Sequence, residues 1–337
     1  MTTPDKPLAL TMGDPAGVGP AITWKAYDEI RQSGGRPFYV IAPADVLAKA
    51  SGRESRQIEK VSSPQQAIAA FKNALPVLEI PGYSPEPGRP DPSNAPAIIE
   101  SIRLAVEHAQ GNKAAGVVTN PIAKALLYRA GFKHPGHTEF LAELASRNGK
   151  TPRPVMMLVG GGLRVALVTV HRPLASVVKS LSTDLIVDVG RIVHHDLSQV
   201  FGLTNPRIGL CGVNPHAGED GEIGREEIEI INPAAVRLRA QSIDISDARP
   251  GDTIFHEARS GRFDAVIAMY HDQGLIPIKT LDMWGGVNVT LGLPFIRTSP
   301  DHGVAYDVAE SGSAKPDSLI AALRLADRMA RDRAASQ

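Results

Sequence analysis

Three histidines each stand just past a run of strand-forming residues. His171 follows ALVTV and precedes Arg172-Pro173, His216 follows IGLCG by way of Val213-Asn214-Pro215, and His271 follows AVIAM and Tyr270. In open α/β sheets ligands bind outside the carboxyl ends of the strands. Three neutral imidazoles converging there, with one coordination position left open, are what a catalytic divalent metal needs. A lone histidine at a strand end more often caps or hydrogen-bonds, so the trio supports both a metal centre and a capping role. Two carboxylates lie near them in sequence. Asp272 directly follows His271, and Asp252, in Gly251-Asp252-Thr253, reads either as the N-cap of a helix or as a carboxylate that orients a bound imidazole. Lys279, eight residues past His271, and Arg297 are candidate contacts for an anionic group. His137 and His302 sit in glycine-containing turns, His194 and His195 on a helix, and His108, His134 and His256 read as surface residues.

These residues need a frame. Short β-branched runs at 8–12, 38–42, 116–119, 155–159, 164–170, 207–211 and 264–269 are predicted strands. Helical patterns at 95–109, 138–146, 184–200 and 225–239 lie between them, and 315–336 reads as a closing helix. Strands alternating with helices imply crossover units and a largely parallel sheet, and the near-continuous apolar runs imply helices on both faces. The class is α/β. The stretch 81–96 (PGYSPEPGRPDPSNAP) is predicted to be a long loop, neither helix nor central strand, because its prolines remove backbone donors. Two glycine-rich segments remain. TMGDPAGVGP (11–20) reads as a strand, tight turn and helix start, able either to face an anion or simply to turn. The other, 285–299, ends just before Asp301-His302-Gly303.

A length of 337 residues suits about two domains. Lysine plus arginine equals aspartate plus glutamate at 36 each, which argues against a strongly basic nucleic-acid binder. The single cysteine, Cys211, excludes an intramolecular disulfide or a cysteine-rich metal ribbon, and inside an apolar strand it reads as packing. No signal peptide and no apolar run of ~18 residues is evident, so a cytoplasmic protein without a membrane or nucleic-acid partner is expected. There is no G-x-G-x-x-G after a strand, no G-x-S-x-G and no H-E-x-x-H. Gly149-Lys150-Thr151 mimics a phosphate loop, but Leu144 stands where its first glycine should be.

Longer segments carry a specific resemblance. GDPAGVGP, PGHTEFLAEL, TVHRPL, GVNPHAGEDGEIGREE, MYHDQGLIPIK and GVNVTLGLPFIRTSPDHG, in this order, closely resemble the 4-hydroxythreonine-4-phosphate dehydrogenase (PdxA) family of pyridoxal phosphate biosynthesis. The resemblance runs from about Leu8 to Leu323. It implies a two-domain α/β/α fold like that of isocitrate and isopropylmalate dehydrogenases, which bind NAD(P) without the usual glycine fingerprint. Residues 1–125 plus 265–337 would form the cofactor-side domain, and 126–264 the central domain with the dimer interface. It further implies a homodimer with a shared active site, so that the three histidines need not come from one chain.

Carried over residue by residue, His171, His216 and His271 match ligands of one divalent metal (zinc, magnesium or cobalt). His137, Thr138, Lys279, Asn288 and Arg297 match contacts to a small phosphorylated amino-acid substrate. Asp252 and Asp272 match supporting carboxylates, and Lys279 is a candidate proton acceptor. Gly292, Asp301, His302 and Gly303 fall at the cofactor. Ala21, and Ala123 before Lys124, depart from common residues of the family. The implied reaction oxidises 4-(phosphooxy)-L-threonine to 2-amino-3-oxo-4-(phosphooxy)butanoate, which decarboxylates to 3-amino-2-oxopropyl phosphate. Relatives acting on threonate or erythronate phosphate or on dihydrodiols, a three-histidine metal hydrolase, and a non-catalytic phosphometabolite binder are the competing readings.

Overall fold

The computed structural model describes residues 6–50, 57–129, 131 and 136–335. His134 and Ser336, placed above on the surface and in the closing helix, lie outside them. The strands are β1 (Leu8–Thr11), β2 (Phe38–Ala42), β3 (Ile58–Val61), β4 (Leu75–Glu79), β5 (Val117–Thr119), β6 (Val155–Gly160), β7 (Leu163–Leu167), β8 (Ile208–Cys211), β9 (Ile245–Arg249), β10 (Ala265–Ala268), β11 (Val287–Leu291) and β12 (Arg297–Pro300). The chain divides into two compact units: one takes the described residues of Met1–Pro154 and Leu293–Ala335, the other Val155–Gly292.

In the first unit the strand order is β3-β4-β2-β1-β5-β12, and its strand pairs are parallel. Every residue of β1 and β2 is buried, which is why LALT and FYVIA show no alternation. Helices Ala95–Gln110 and Asp317–Ala335 pack on this sheet, and helix Gly19–Gln32 packs against Asp317–Ala335. Residues 81–96 are mostly loop, with two differences. Pro92–Asn94 form a short 3-10 turn, and Ala95 and Pro96 open the helix Ala95–Gln110. Proline is at home there, because the first turn leaves its N–H positions without intrahelical partners. His108, expected at the surface, is 8% exposed, with Nδ1 2.8 Å from the Tyr39 hydroxyl. Burial pushes its pKa below the ordinary histidine value.

The second unit orders its strands β11-β6-β7-β10-β8-β9. β7, β10, β8 and β9 run parallel, β6 turns back antiparallel to β7, and β11 is antiparallel to β6. The β6–β7 hairpin closes on Gly161-Gly162 with φ of 58° and 82°, the two positive values a tight hairpin requires. The core gathers Leu158, Val165, Cys211, Ile254, Val266 and Ile278. Burial pushes the Cys211 thiol up to about 12, so it remains a protonated packing group.

Two expectations change here. The 225–239 pattern is an α-helix only over Asn232–Arg239, while Glu227–Ile231 form a wider π turn. Pro233 has no N–H to continue an α ladder backward, and the wider turn accommodates that gap. Asp252 is not a helix cap: the helix is Ile254–Arg259, Thr253 takes the cap position, and Asp252 is exposed on the preceding loop.

The loop after β8 has the least ordinary backbone. His216, Ala217, Gly218, Glu219 and Asp220 all have positive φ (53°, 53°, 83°, 46° and 53°), forming a left-handed turn. Such a conformation costs roughly 1–2 kcal/mol for each non-glycine residue, because Cβ crowds the following carbonyl. Glu219 is exposed and gives up no packing, so Glu219→Gly should raise stability by about 1 kcal/mol in a denaturant melt. A lower midpoint would contradict this backbone.

The closing helix of the first unit is held by charge. Arg36 Nε lies 2.6 Å from Asp327 Oδ1 and Arg331 Nη2 2.9 Å from Oδ2. Burial pushes the Asp327 carboxyl up, but hydrogen bonds from Arg331 and Arg36 outweigh it and hold it below the usual range. The stabilisation is present above the ordinary value of 3.8 and is lost as pH falls through the depressed folded value. Asp327→Asn should cost about 2–3 kcal/mol at neutral pH and flatten the acid limb of a stability–pH curve.

Candidate active site

The parallel pairing of β7 with β10, and of β10 with β8, sends the three histidine-bearing segments off the same edge of the second unit's sheet. A short polar network ties those segments. Thr169 donates to the Met269 carbonyl from its amide at 3.2 Å and from Oγ1 at 2.7 Å. The Met269 amide donates to Gln273 Oε1 at 2.7 Å, and Gln273 Nε2 donates to the Gly212 carbonyl at 2.7 Å. One side-chain amide therefore bridges the segments that lead to His271 and to His216.

His171 and His271 are brought together, with ring centroids 5.5 Å apart and planes inclined by 44°. They share an open cleft of about 400 Å³ with Arg172, Leu174, Val177, Tyr270 and Asp272. His271 Nδ1 lies 2.7 Å from Asp272 Oδ1. A carboxylate only accepts, so Nδ1 carries the proton and the lone pair sits on Nε2. Nε2 is the atom a metal takes, and Asp272 holds the far side of the ring, so His171 and His271 offer at most two imidazole donors, an incomplete set for a divalent ion. His216 is not part of the group. It is exposed on the left-handed turn, and among the described residues no three His, Cys, Asp or Glu side chains gather closely enough to hold a metal.

The remaining candidates of this unit are spread more widely. Lys279 is half-buried on the helix His271–Leu281, about 12 Å along the axis from His271. Asn288 stands on β11 opposite Leu158, with its Oδ1 buried and lacking a partner among the described residues. Asp252 lies close enough to Cys211 to help raise the thiol's pKa, after burial and Glu227. The Gly292 amide donates to the buried Asp196 at 2.7 Å.

In the first unit a second group forms. Arg297 opens β12 and is 4% exposed, and its Nη2 donates to Thr119 Oγ1 at 2.7 Å. Burial lowers the guanidinium to about 10. His137 and Thr138 begin the helix His137–Leu144, and His137 Nε2 is buried without a hydrogen-bond partner among the described residues. Burial, then the charges of Arg297 and Lys124, push the imidazole well below its ordinary value, so it is neutral at pH 7. Two cations thus stand near a neutral ring whose Nε2 has no partner among the described residues, a setting that can accommodate an anion with hydrogen-bonding oxygens.

The 301–306 segment, also in this unit, is anchored to the 11–20 turn. The Val18 amide donates to the Val304 carbonyl at 2.9 Å, and the Tyr306 hydroxyl donates to Asp14 Oδ2 at 2.6 Å. Asp14, Ala16, Gly17 and Val18 all spend their amides within the protein, so the turn is a packing joint and faces no anion with them. A Cβ on Gly17 would stand 2.8 Å from the Val304 carbonyl, which requires glycine there. On its own side of this joint the Asp301 amide donates to Ser318 Oγ at 3.2 Å. His302 and Gly303 are exposed beside it, with His302 Nδ1 3.0 Å from the Gly303 carbonyl.

Sequence reasoning did not single out Gln273, Thr169, Thr119, Asp14, Tyr306 or Glu227. Their signal is faint: a polar residue within one turn of a candidate ligand, or a lone hydroxyl at the end of an apolar strand.

Comparison with known proteins agrees with these features. Residues 35–326 match the family described as "Pyridoxal phosphate biosynthetic protein PdxA". Curated relatives named 4-hydroxythreonine-4-phosphate dehydrogenase include one from Bradyrhizobium diazoefficiens, 52% identical over 96% of this chain and 97% of its own. Another, from Caulobacter vibrioides, is 51% identical over 96% and 98%. Among solved structures, the Klebsiella pneumoniae 4-hydroxythreonine-4-phosphate dehydrogenase superposes with a TM-score of 0.87 at 37% identity, covering 96% of this chain and 99% of that one. A terephthalate 1,2-cis-dihydrodiol dehydrogenase from Burkholderia xenovorans is more distant, with a TM-score of 0.67 at 26% identity over 96% and 98%. Agreement at this identity along almost the whole chain leaves one assignment: the chain belongs to the PdxA family.

Proposed function

We propose that this chain oxidises 4-(phosphooxy)-L-threonine at its C3 hydroxyl, with NAD(P)⁺ as hydride acceptor and one divalent metal, in pyridoxal phosphate biosynthesis. The observation that carries the reading is identity of about half, end to end, with relatives named for that dehydrogenase activity. The dihydrodiol dehydrogenase is half as similar by identity, which places dihydrodiol chemistry second.

The chemistry sets what the residues do. Oxidation breaks the C3–H bond as hydride and the hydroxyl O–H as a proton, giving a β-keto acid that can lose carbon dioxide. When bound, the metal supplies a positive charge that favours loss of the hydroxyl proton, and the nicotinamide takes the hydride. His171 and His271 hold the metal, with Asp272 fixing the His271 tautomer and Asp252 as a second supporting carboxylate. Lys279 accepts the hydroxyl proton, and Asn288 positions the substrate. Arg297, His137 and Thr138 hold an anionic end of the substrate. Gly292, Asp301, His302 and Gly303 line the cofactor. Of zinc, magnesium and cobalt, zinc and cobalt suit imidazole donors, whereas magnesium would rely on oxygen ligands such as carboxylates and water.

His216 completes the ligand set in a homodimer, where ligands can come from two chains. Leu174, Ile223, Ile228, Ile276 and Trp284 support pairing, since each exposes more than 40% of its surface in the isolated chain. No described helix is long and apolar enough to cross a membrane, and we place the enzyme in the cytoplasm.

Purified protein given zinc, 4-(phosphooxy)-L-threonine and NAD⁺ should produce reduced nicotinamide, seen by near-ultraviolet absorbance, and chelation should stop it. A flat trace with both NAD⁺ and NADP⁺ would sink the substrate assignment and turn attention to threonate-type phosphates. Arg297→Met should lower kcat/KM by about 100-fold or more through lost anion binding. The same change should leave the ligand-free protein as stable or more so, because it removes a desolvated charge. A large stability loss with unchanged kcat/KM would assign Arg297 to the fold instead.

A further inference from the structure

Glu227 is a carboxylate 2% exposed that none of the roles above uses. Its Oε1 accepts the backbone amides of Val213 at 2.7 Å and Asn214 at 2.8 Å. Its Oε2 accepts Asn214 Nδ2 at 2.9 Å, and Asn214 Nδ2 also donates to Glu226 Oε2 at 2.6 Å. All three donors therefore come from the two residues that lead into Pro215-His216. The far side of the turn closes on the same carboxylate. A Cβ on Gly218 would stand 2.7 Å from Glu227 Oε2, and one on Gly212 3.1 Å from Oε1. Gly224 lies so close to Asn214 that a Cβ would come within 2.4 Å of its Nδ2.

The 212–224 loop is thus wrapped around one buried carboxylate, and the segment it encloses is the left-handed turn that presents His216. A chain does not hold consecutive residues at positive φ without something that over-determines them. Glu227 supplies this by gathering the entry amides on one oxygen and leaving room on the other only for glycine. The π turn that begins at Glu227 aims the carboxylate into the loop.

We propose that Glu227 is a positioning residue, whose buried carboxylate fixes the left-handed turn and so sets where the His216 imidazole stands as a metal ligand. The ligand role of His216 is that of the function proposed above; the holding of the turn does not depend on it. A group acting on a ligand through the backbone should alter metal affinity without touching the metal, by about 10–100-fold.

The test has two arms on the full-length protein. In metal-free protein, amide hydrogen exchange over 213–221 should quicken in Glu227→Ala and stay near wild type in Glu227→Gln, which keeps an oxygen for the two backbone amides. In zinc competition against a chelator, Glu227→Ala should lose about 10–100-fold in affinity, and Glu227→Gln about threefold or less. Unchanged exchange in Glu227→Ala overturns the positioning role. Quickened exchange with wild-type zinc affinity overturns its link to the ligand, provided His216→Ala does weaken zinc. If His216→Ala binds zinc like wild type, the three-histidine reading fails by itself, and the exchange arm alone decides for Glu227. Should Glu227→Ala not fold, Asn214→Ala removes the side-chain half of the clamp and must shift both readouts in the same direction.

Discussion

The parallel pairing of β7, β10 and β8 is the constraint on which the second unit's chemistry rests. Parallel strands end on a common edge, so residues far apart in the chain, 171, 216 and 271, leave the sheet on the same side. Pairing alone sets direction only to within a loop's freedom. The finer placement comes from hydrogen bonds that cannot be made elsewhere: Thr169 to Met269, Met269 to Gln273, and Gln273 to Gly212. A buried amide that lost one of these partners would carry an uncompensated polar group costing about 1–3 kcal/mol. The network is therefore fully made or strongly disfavoured. That is how a sheet with apolar strands can present polar side chains with little play.

The first unit solves a different problem with the same physics. Arg297 is buried although a guanidinium in a dry site is expensive, and its lowered pKa records that expense. His137 beside it is kept neutral by burial and by the cations. Neither is a stabilising arrangement for an empty protein. Under the function proposed above, an anion's charge would offset the desolvation of Arg297 and its oxygens would accept from the ring, so a phosphate or carboxylate is the class of group that would make both favourable.

How much of this was legible in the sequence follows from which interactions leave a local trace. Apolar runs such as FYVIA and AVIA mark buried parallel strands, and both are strands here. RTSP of β12 is every bit as buried yet polar, and IEKV of β3 shows one buried residue in four, so neither has a readable period. Proline in the first turn of Ala95–Gln110 looks like a loop signal because the same residue favours both settings. Asp252 satisfies the composition rule for a cap, but one residue's difference in where the helix begins gives the position to Thr253. Histidines at strand ends were readable since strand ends are. The partners that hold them were not. Gln273 and Glu227 act through backbone atoms 61 and 14 residues away, and no pattern in the sequence marks a contact of that kind.

The left-handed turn raises the question of why a strained loop should carry His216 at all. A relaxed turn after β8 would be easier to fold, and glycine at 217, 219 and 220 would ease this one. Glycine would also widen the range of backbone angles open to the loop, because it prefers neither sign of φ. Non-glycine residues forced to positive φ have one narrow well, about +50° to +70°, and little room around it. Strain and precision are thus the same property here: the residues that make the turn costly also remove its alternatives. The cost is bearable only because a buried carboxylate with three donors holds the loop's entry and the parallel sheet holds its base. In the ligand role proposed for His216, the imidazole would need its nitrogen fixed to about 0.2 Å. A loop that is stiff because it is strained can deliver that where a relaxed one would not.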